Sequence, residues 1–183
     1  MSDLTDEALA RKAADGSREA FEELLQRHYG RIFRIAVRLL GNRADAEDVA
    51  QEVCIGLATK ISKWQGESRF TTWLYRVVVN AAHDAMRRDS TRRRYEREAA
   101  ESYWSARQGD AEGSGEARWL RQALGKLSRK QRETVILVIA EGLTHAEAAQ
   151  VLGVKESTVS WRLHAARKRL RRLAEEERRR GDE

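Results

Sequence analysis

Apolar residues recur along residues 18–40 at helical spacing: Phe21, Leu24, Leu25, Ile32, Ile35, Ala36 and Leu39. Positions three and four apart share one side of a helix, so this spacing predicts an amphipathic helix with a buried stripe. Gly41 tolerates the left-handed backbone that ends a helix, and Asn42 offers a side-chain oxygen to cap the next one. That second helix is expected over 45–61, burying Ala46, Val49, Ala50, Val53, Leu57 and Ile61. A loop from Lys63 to Arg69 follows. Thr71 or Thr72 then caps a third helix that runs to about Arg88.

The pattern changes after Asp89. Arg92-Arg93-Arg94 is a basic run, and residues 96–116 are mostly acidic, ending in Gly109-Asp-Ala-Glu-Gly-Ser-Gly115. Few apolar residues here keep helical spacing, so a flexible linker is expected. Helical periodicity returns near Arg118 and persists to about Ala174. Within it, Ser128-Arg-Lys-Gln131 and Thr144-His-Ala-Glu147 are capping-box patterns, each marking a helix start. The charged residues from Glu175 to Glu183 are expected to fray. No useful β alternation appears. The fold class is therefore all-α: two small helical domains, 1–92 and 118–175, with a linker at 93–117 and a charged tail at 176–183.

Composition changes the picture in three ways. The 183 residues contain no proline, which favours unbroken helices. Charged residues reach 35% and the net charge is +6, a balance that favours a polyanionic partner but is weak on its own. Cys54 is the one cysteine, so no intrachain disulfide forms, and the four histidines are too scattered for metal-ligand spacing. No apolar run approaches the ~18 residues of a membrane span. The polar stretch from Met1 to Glu7 does not read as a signal peptide. A cytoplasmic protein is expected, with no membrane insertion, cofactor or metal.

The sharpest local pattern runs from Leu143 to Leu163. A helix-turn-helix needs a small residue where its helices touch, and Ala149 supplies one. It needs positive φ at the turn, and Gly153 supplies that. Val159, Leu163, Ala166 and Leu170 would pack the second helix back on the first. The opposite side presents Ser157, Trp161, His164 and Lys168, flanked by Thr158, Arg162 and Arg167. This polar, basic face suits a major groove, with the helix start near phosphate. A plain helical hairpin with a solvated face is the bland alternative. Trp161 either meets a partner or lies over a neighbouring helix.

In the front half, Arg76, Asn80, His83 and Arg87 form one polar stripe on helix 72–88, opposite Phe70, Leu74, Val77, Val78, Ala81 and Ala85. A basic stripe beside Trp64, Phe70, Trp73 and Tyr75 fits single-stranded nucleic acid, in which cations track phosphates and rings receive unstacked bases. Aromatics buried as core, or a merely solvated stripe, are the alternatives. Helix 45–61 carries Asp45, Asp48, Gln51 and Glu52 opposite its apolar side, with Ile55 among them. Acid around an exposed isoleucine fits a protein-docking patch; an ordinary solvated face remains open.

Taken together, these segments resemble an RNA polymerase sigma factor of the extracytoplasmic-function (ECF) type, and the resemblance covers nearly the whole chain. Asp45-Ala-Glu-Asp-Val-Ala-Gln-Glu-Val53 is similar to the family's acidic helix that binds the β′ clamp helices. Phe70-Thr-Thr-Trp-Leu-Tyr-Arg-Val-Val-Val-Asn80 is similar to its promoter −10 segment. Leu127-Ser-Arg-Lys-Gln-Arg-Glu133, Glu141-Gly-Leu-Thr-His-Ala-Glu147, Gly153 and Thr158-Val-Ser-Trp-Arg-Leu163 resemble its −35-reading domain.

The resemblance implies roles. Asp45, Asp48, Gln51, Glu52 and Ile55 would dock on core polymerase, whose β′ clamp helices and β flap are the implied partners. Lys63, Trp64, Arg69, Trp73, Arg76, Asn80, His83 and Arg87 would meet single-stranded −10 DNA, the loop Lys63 to Arg69 holding a flipped base. Glu156, Ser157, Thr158, Ser160, Trp161, Arg162, His164, Arg167 and Lys168 would meet the duplex −35 element. The linker would thread the RNA-exit path, and an anti-sigma protein would restrain the factor. Leu127-Ser128 stands where the family often has Leu-Pro, which leaves capping to the serine. Two rivals stand beside this reading. A homodimeric helix-turn-helix regulator leaves the acidic face without a role. An enzyme on nucleic acid lacks any carboxylate cluster, phosphate loop or nucleophile–base arrangement in the sequence.

Overall fold

Side-chain caps and left-handed glycines cut the chain into helices, and buried apolar stripes then pack them into two groups. The computed structural model describes residues 4–96 and 115–181, with side chains over 4–88 and 118–179. The chain divides into two units, Met1–Ala100 and Glu101–Glu183.

The first unit holds α1 (Asp6–Ala14), α2 (Arg18–Leu40), α3 (Arg43–Lys60), a 3₁₀ turn (Ile61–Lys63) and α4 (Phe70–Glu96). Thr5, Ser17 and Asn42 each cap a helix by accepting a backbone N–H. Gly41 ends α2 at φ 81°, donating its own N–H to the Val37 carbonyl. α2 packs against α1, α3 and α4. Ile32, Ile35 and Leu39 from α2, Val49 and Val53 from α3, and Phe70, Leu74 and Val78 from α4 are buried. Each such side chain contributes about 1.5–3 kcal/mol of burial. The stripes expected on α2 and α3 are in place, with Ala46, Val49, Ala50, Val53, Leu57 and Ile61 all buried.

In this unit the helices differ from the sequence reading in three ways. The helix α1 was not expected: it has nine residues, and its buried side is only Leu9, Ala10 and Ala13. So short and alanine-rich a stripe has no strong periodicity. Neither Thr71 nor Thr72 caps α4, which already begins at Phe70. Thr72 is buried, and the Phe70 N–H donates instead to Glu7 Oε1 at 3.3 Å. Finally, α4 continues past Arg88 to Glu96, beyond the boundary expected at 92.

The second unit holds α5 (Gly115–Gly125), α6 (Arg129–Val135), a π-helical stretch (Ile136–Ala140), α7 (His145–Leu152) and α8 (Glu156–Gly181). Both expected capping boxes are complete, Ser128 with Gln131 and Thr144 with Glu147. The π stretch closes with the Glu141 N–H on the Ile136 carbonyl at 3.0 Å, five residues back. α8 is helical to Gly181, so the tail expected to fray is part of the helix. Glu175–Glu177 are followed by a run of arginines, so Glu175 and Arg179 stand four apart with the glutamate first, and both residue types are good helix formers, which favours its persistence. Of the expected linker, residues 97–114, and with them the path expected for it, lie outside the described residues.

Candidate nucleic-acid interface

The helix-turn-helix is built as its sequence requires. Gly153 follows α7 at φ 63°, with its N–H on the Ala149 carbonyl, and the Val154 N–H reaches the same oxygen at 3.1 Å. Ala149 is buried where the helices meet, and Val159, Leu163 and Ala166 cover the inner side of α8. Leu170 is half-buried. On the outer side Glu156, Ser157, Ser160, Trp161, His164, Arg167 and Lys168 are exposed, with Thr158 half-buried. Trp161 is 67% exposed, so it does not lie over a neighbouring helix.

One residue expected on this face is elsewhere. Arg162 is 9% exposed and lies about 100° around the helix from Trp161. That rotation turns it toward the packed side, so it is not a groove-facing cation. A contact invisible in the sequence joins the two helices: His145 Nδ1 and Ser160 Oγ lie 3.0 Å apart.

In the first unit α4 turns Arg76, Asn80 and Arg87 outward, with His83 half-buried beside them. The aromatic residues divide. Phe70 and Tyr75 are buried, and Trp73 is half-buried with its ring 5.8 Å from that of Phe70. Trp64, expected to meet DNA, is only 7% exposed. Its Nε1–H donates to the Ser68 carbonyl at 3.2 Å, and its ring stands edge-on to Phe70 at 5.9 Å. The indole N–H is satisfied within the loop and its apolar body is spent on the core, so Trp64 shapes the loop rather than lining its surface. Lys63, Gln65, Gly66, Glu67 and Arg69 remain exposed.

The acidic side of α3 is also present. Asp48, Gln51 and Glu52 are exposed, and Ile55 is 75% exposed among them. Asp45 is half-buried, its carboxylate accepting from Asn42 Nδ2 at 2.8 Å. Glu52 accepts from Arg88 of α4 at 2.7 Å, and that carboxylate raises the arginine's pKa. The sequence reading missed Arg88, because the pair spans 36 residues and exists only once the helices have packed.

Two family models match the chain. Sigma-70 region 2 matches residues 24–93, and Sigma-70 region 4 matches residues 117–170. The RNA polymerase sigma factor NccH of Alcaligenes xylosoxydans xylosoxydans is 33% identical over 92% of this chain and 94% of its own length. The ECF RNA polymerase sigma factor SigM of Mycobacterium tuberculosis is 32% identical over 86% of this chain and 79% of its own. The chain belongs to the ECF RNA polymerase sigma factors. Another member, SigE of Mycolicibacterium smegmatis, is 34% identical over 83% of this chain, which spans 60% of SigE. Among solved structures, CnrH in complex with the cytosolic domain of CnrY matches with TM-score 0.69 and 28% identity, covering 93% of this chain and 97% of that one. The sigma factor RpoE of Bartonella quintana, in complex with the anti-sigma factor NepR, matches with TM-score 0.70 and 25% identity, covering 85% and 96%.

In this sigma factor the region 2 match takes in most of α2, all of α3 and nearly all of α4, leaving α1 ahead of it. The region 4 match ends inside α8, so the helix-turn-helix lies within it and the last turns of α8 lie beyond it. Among the described residues, no helix is long and apolar enough to cross a membrane.

Proposed function

We propose that this sigma factor docks on core RNA polymerase through the outer side of α3, sets the start of α8 in the −35 major groove, and captures unstacked −10 bases at the loop Lys63–Arg69. The observation that carries the docking assignment is Ile55, 75% exposed amid Asp48, Gln51 and Glu52. Solvent alone does not favour an isoleucine there, whereas a basic partner surface with an apolar centre does. The −10 role is supported by the exposed cations Lys63, Arg69, Arg76 and Arg87, with Asn80 and His83 along the same side. Trp73 is the ring best placed to meet a base, since Trp64 is committed to the core. The −35 role falls to Glu156, Ser157, Thr158, Ser160, Trp161, His164, Arg167 and Lys168.

Extruding a base costs a few kcal/mol. Stacking returns roughly 1–3 kcal/mol per base, so capturing one or two bases biases melting without covalent chemistry. Each neutralised duplex phosphate adds about −0.9 to the slope of log affinity against log salt. We further propose a cytoplasmic site of action and an anti-sigma protein as restraining partner, since CnrH and RpoE were each solved with a bound protein.

Charge reversal tests the docking. Asp48→Lys is expected to weaken binding to purified core polymerase at least tenfold, as removal of a charged contact at an interface centre does. Its circular dichroism should stay unchanged, because Asp48 is exposed. Undiminished polymerase affinity would remove α3 from the interface.

A further inference from the structure

The helix α1 lies ahead of the residues that match Sigma-70 region 2, yet it is tied to both ends of the loop Lys63–Arg69. At the far end, Glu7 Oε1 accepts the N–H of Phe70, the first residue of α4, at 3.3 Å. At the near end, α1 packs against the 3₁₀ turn Ile61–Lys63. In between, the Arg11 guanidinium sits beside Gly66, where an added Cβ would lie 3.9 Å from Nη2.

α1 is itself anchored from behind. Asp6 Oδ2 lies 2.8 Å from Nε2 of His28, which is 4% exposed, and the His28 ring stands 5.5 Å from Phe70. Burial holds the His28 pKa below the usual imidazole range, against the pull of Asp6. Arg27 Nη1 donates to Asp6 Oδ1 at 3.2 Å and to the Leu4 carbonyl at 2.7 Å. Leu9, Ala10 and Ala13 bury the inner side.

These contacts have a consequence for base capture. A free loop must lose conformational entropy when it closes on a base, whereas a loop held at both ends has already lost part of it. A carboxylate at the start of α4 also satisfies a backbone N–H that the helix itself leaves unpaired. We infer that α1 is a brace for the −10 loop and that Glu7 is a positioning residue for base capture, acting through the Phe70 N–H without touching DNA. This rests on the reading of the loop Lys63–Arg69 as the base-capturing element.

The test compares holoenzymes carrying wild-type protein, Glu7→Ala, Glu7→Gln, Asp6→Asn and Arg69→Ala. Each is offered a pool of random single-stranded 12-mer DNA, and the retained strands are quantified and sequenced; core-polymerase affinity and thermal midpoint are measured alongside. Glu7→Ala is expected to keep core affinity, to bind the pool about fivefold more weakly, the size of one lost hydrogen bond, and to flatten base preference. Glu7→Gln keeps an acceptor oxygen and should retain most of both. Asp6→Asn, with Glu7 in place, should show a smaller loss in the same direction and serves if Glu7→Ala does not fold. A brace of purely structural effect would lower the midpoint and leave base preference unchanged, which overturns the inference. So would wild-type strand capture by both Glu7→Ala and Asp6→Asn while Arg69→Ala loses it. If Arg69→Ala also captures normally, the loop reading fails first and the brace with it.

Discussion

Arg132 shows how a small helical core keeps a charge. Its guanidinium donates to the carbonyls of Leu124, Gly125 and Leu127 at 3.0, 3.2 and 3.2 Å, closing the C-terminal end of α5. Burial lowers its pKa to about 10, so it stays charged at neutral pH. A lysine brings a point charge and no planar fork. Arg132→Lys should therefore cost about 2–3 kcal/mol in a denaturant titration, the size of a hydrogen bond or two to a charged donor; an unchanged midpoint would contradict that role. Trp161 is the opposite case. Its ring is 67% exposed, so Trp161→Ala should leave stability within about 0.5 kcal/mol of wild type. With the ring at the centre of the proposed −35 contact, the same change should cost holoenzyme about tenfold in promoter affinity, as truncating a central tryptophan does. Unaltered promoter affinity would take this ring off the DNA.

Among the elements, the turn between α7 and α8 is fixed by conformation and not by space. A Cβ added to Gly153 meets nothing within 4 Å, yet the backbone is held at φ 63°. Gly153→Ala should cost about 1 kcal/mol and Gly153→Asn less, because asparagine tolerates the left-handed region. Thermal melts of the two variants check the order; equal melts would mean the turn relaxes. The same turn shows what was legible in the sequence. Glycine stops, the Asn42 cap and the two capping boxes are local chemistry, and each sits where the residues placed it. What escaped depends on distant partners. The start of α4 is set by Glu7, 63 residues away, and not by the threonines inside it. Trp64 and Arg162 looked available because a linear pattern does not show which flank of a helix or loop the fold turns inward. The π stretch Ile136–Ala140 leaves no mark beyond an apolar run, and α1 is too short for its period to register.

At the scale of the whole molecule, the chain forms two compact units, and the proposed contacts are divided between them. The family was readable because acidic helix, −10 segment and helix-turn-helix occur in order along one chain. Which candidate residues stay on the surface was only partly readable, since packing decides exposure: Trp64 and Arg162 turn inward. Region 4 alone would make a duplex reader. In the proposed function the acidic, isoleucine-centred side of α3 meets the polymerase, and a homodimeric regulator would have no use for it. Run-off transcription with purified core polymerase separates these directly. Templates drawn from the chain's own genome should give discrete transcripts only when the protein is present, and the protein should co-elute with polymerase. Tight binding to a palindrome without polymerase, together with no specific transcript and no co-elution, would contradict a polymerase-borne role.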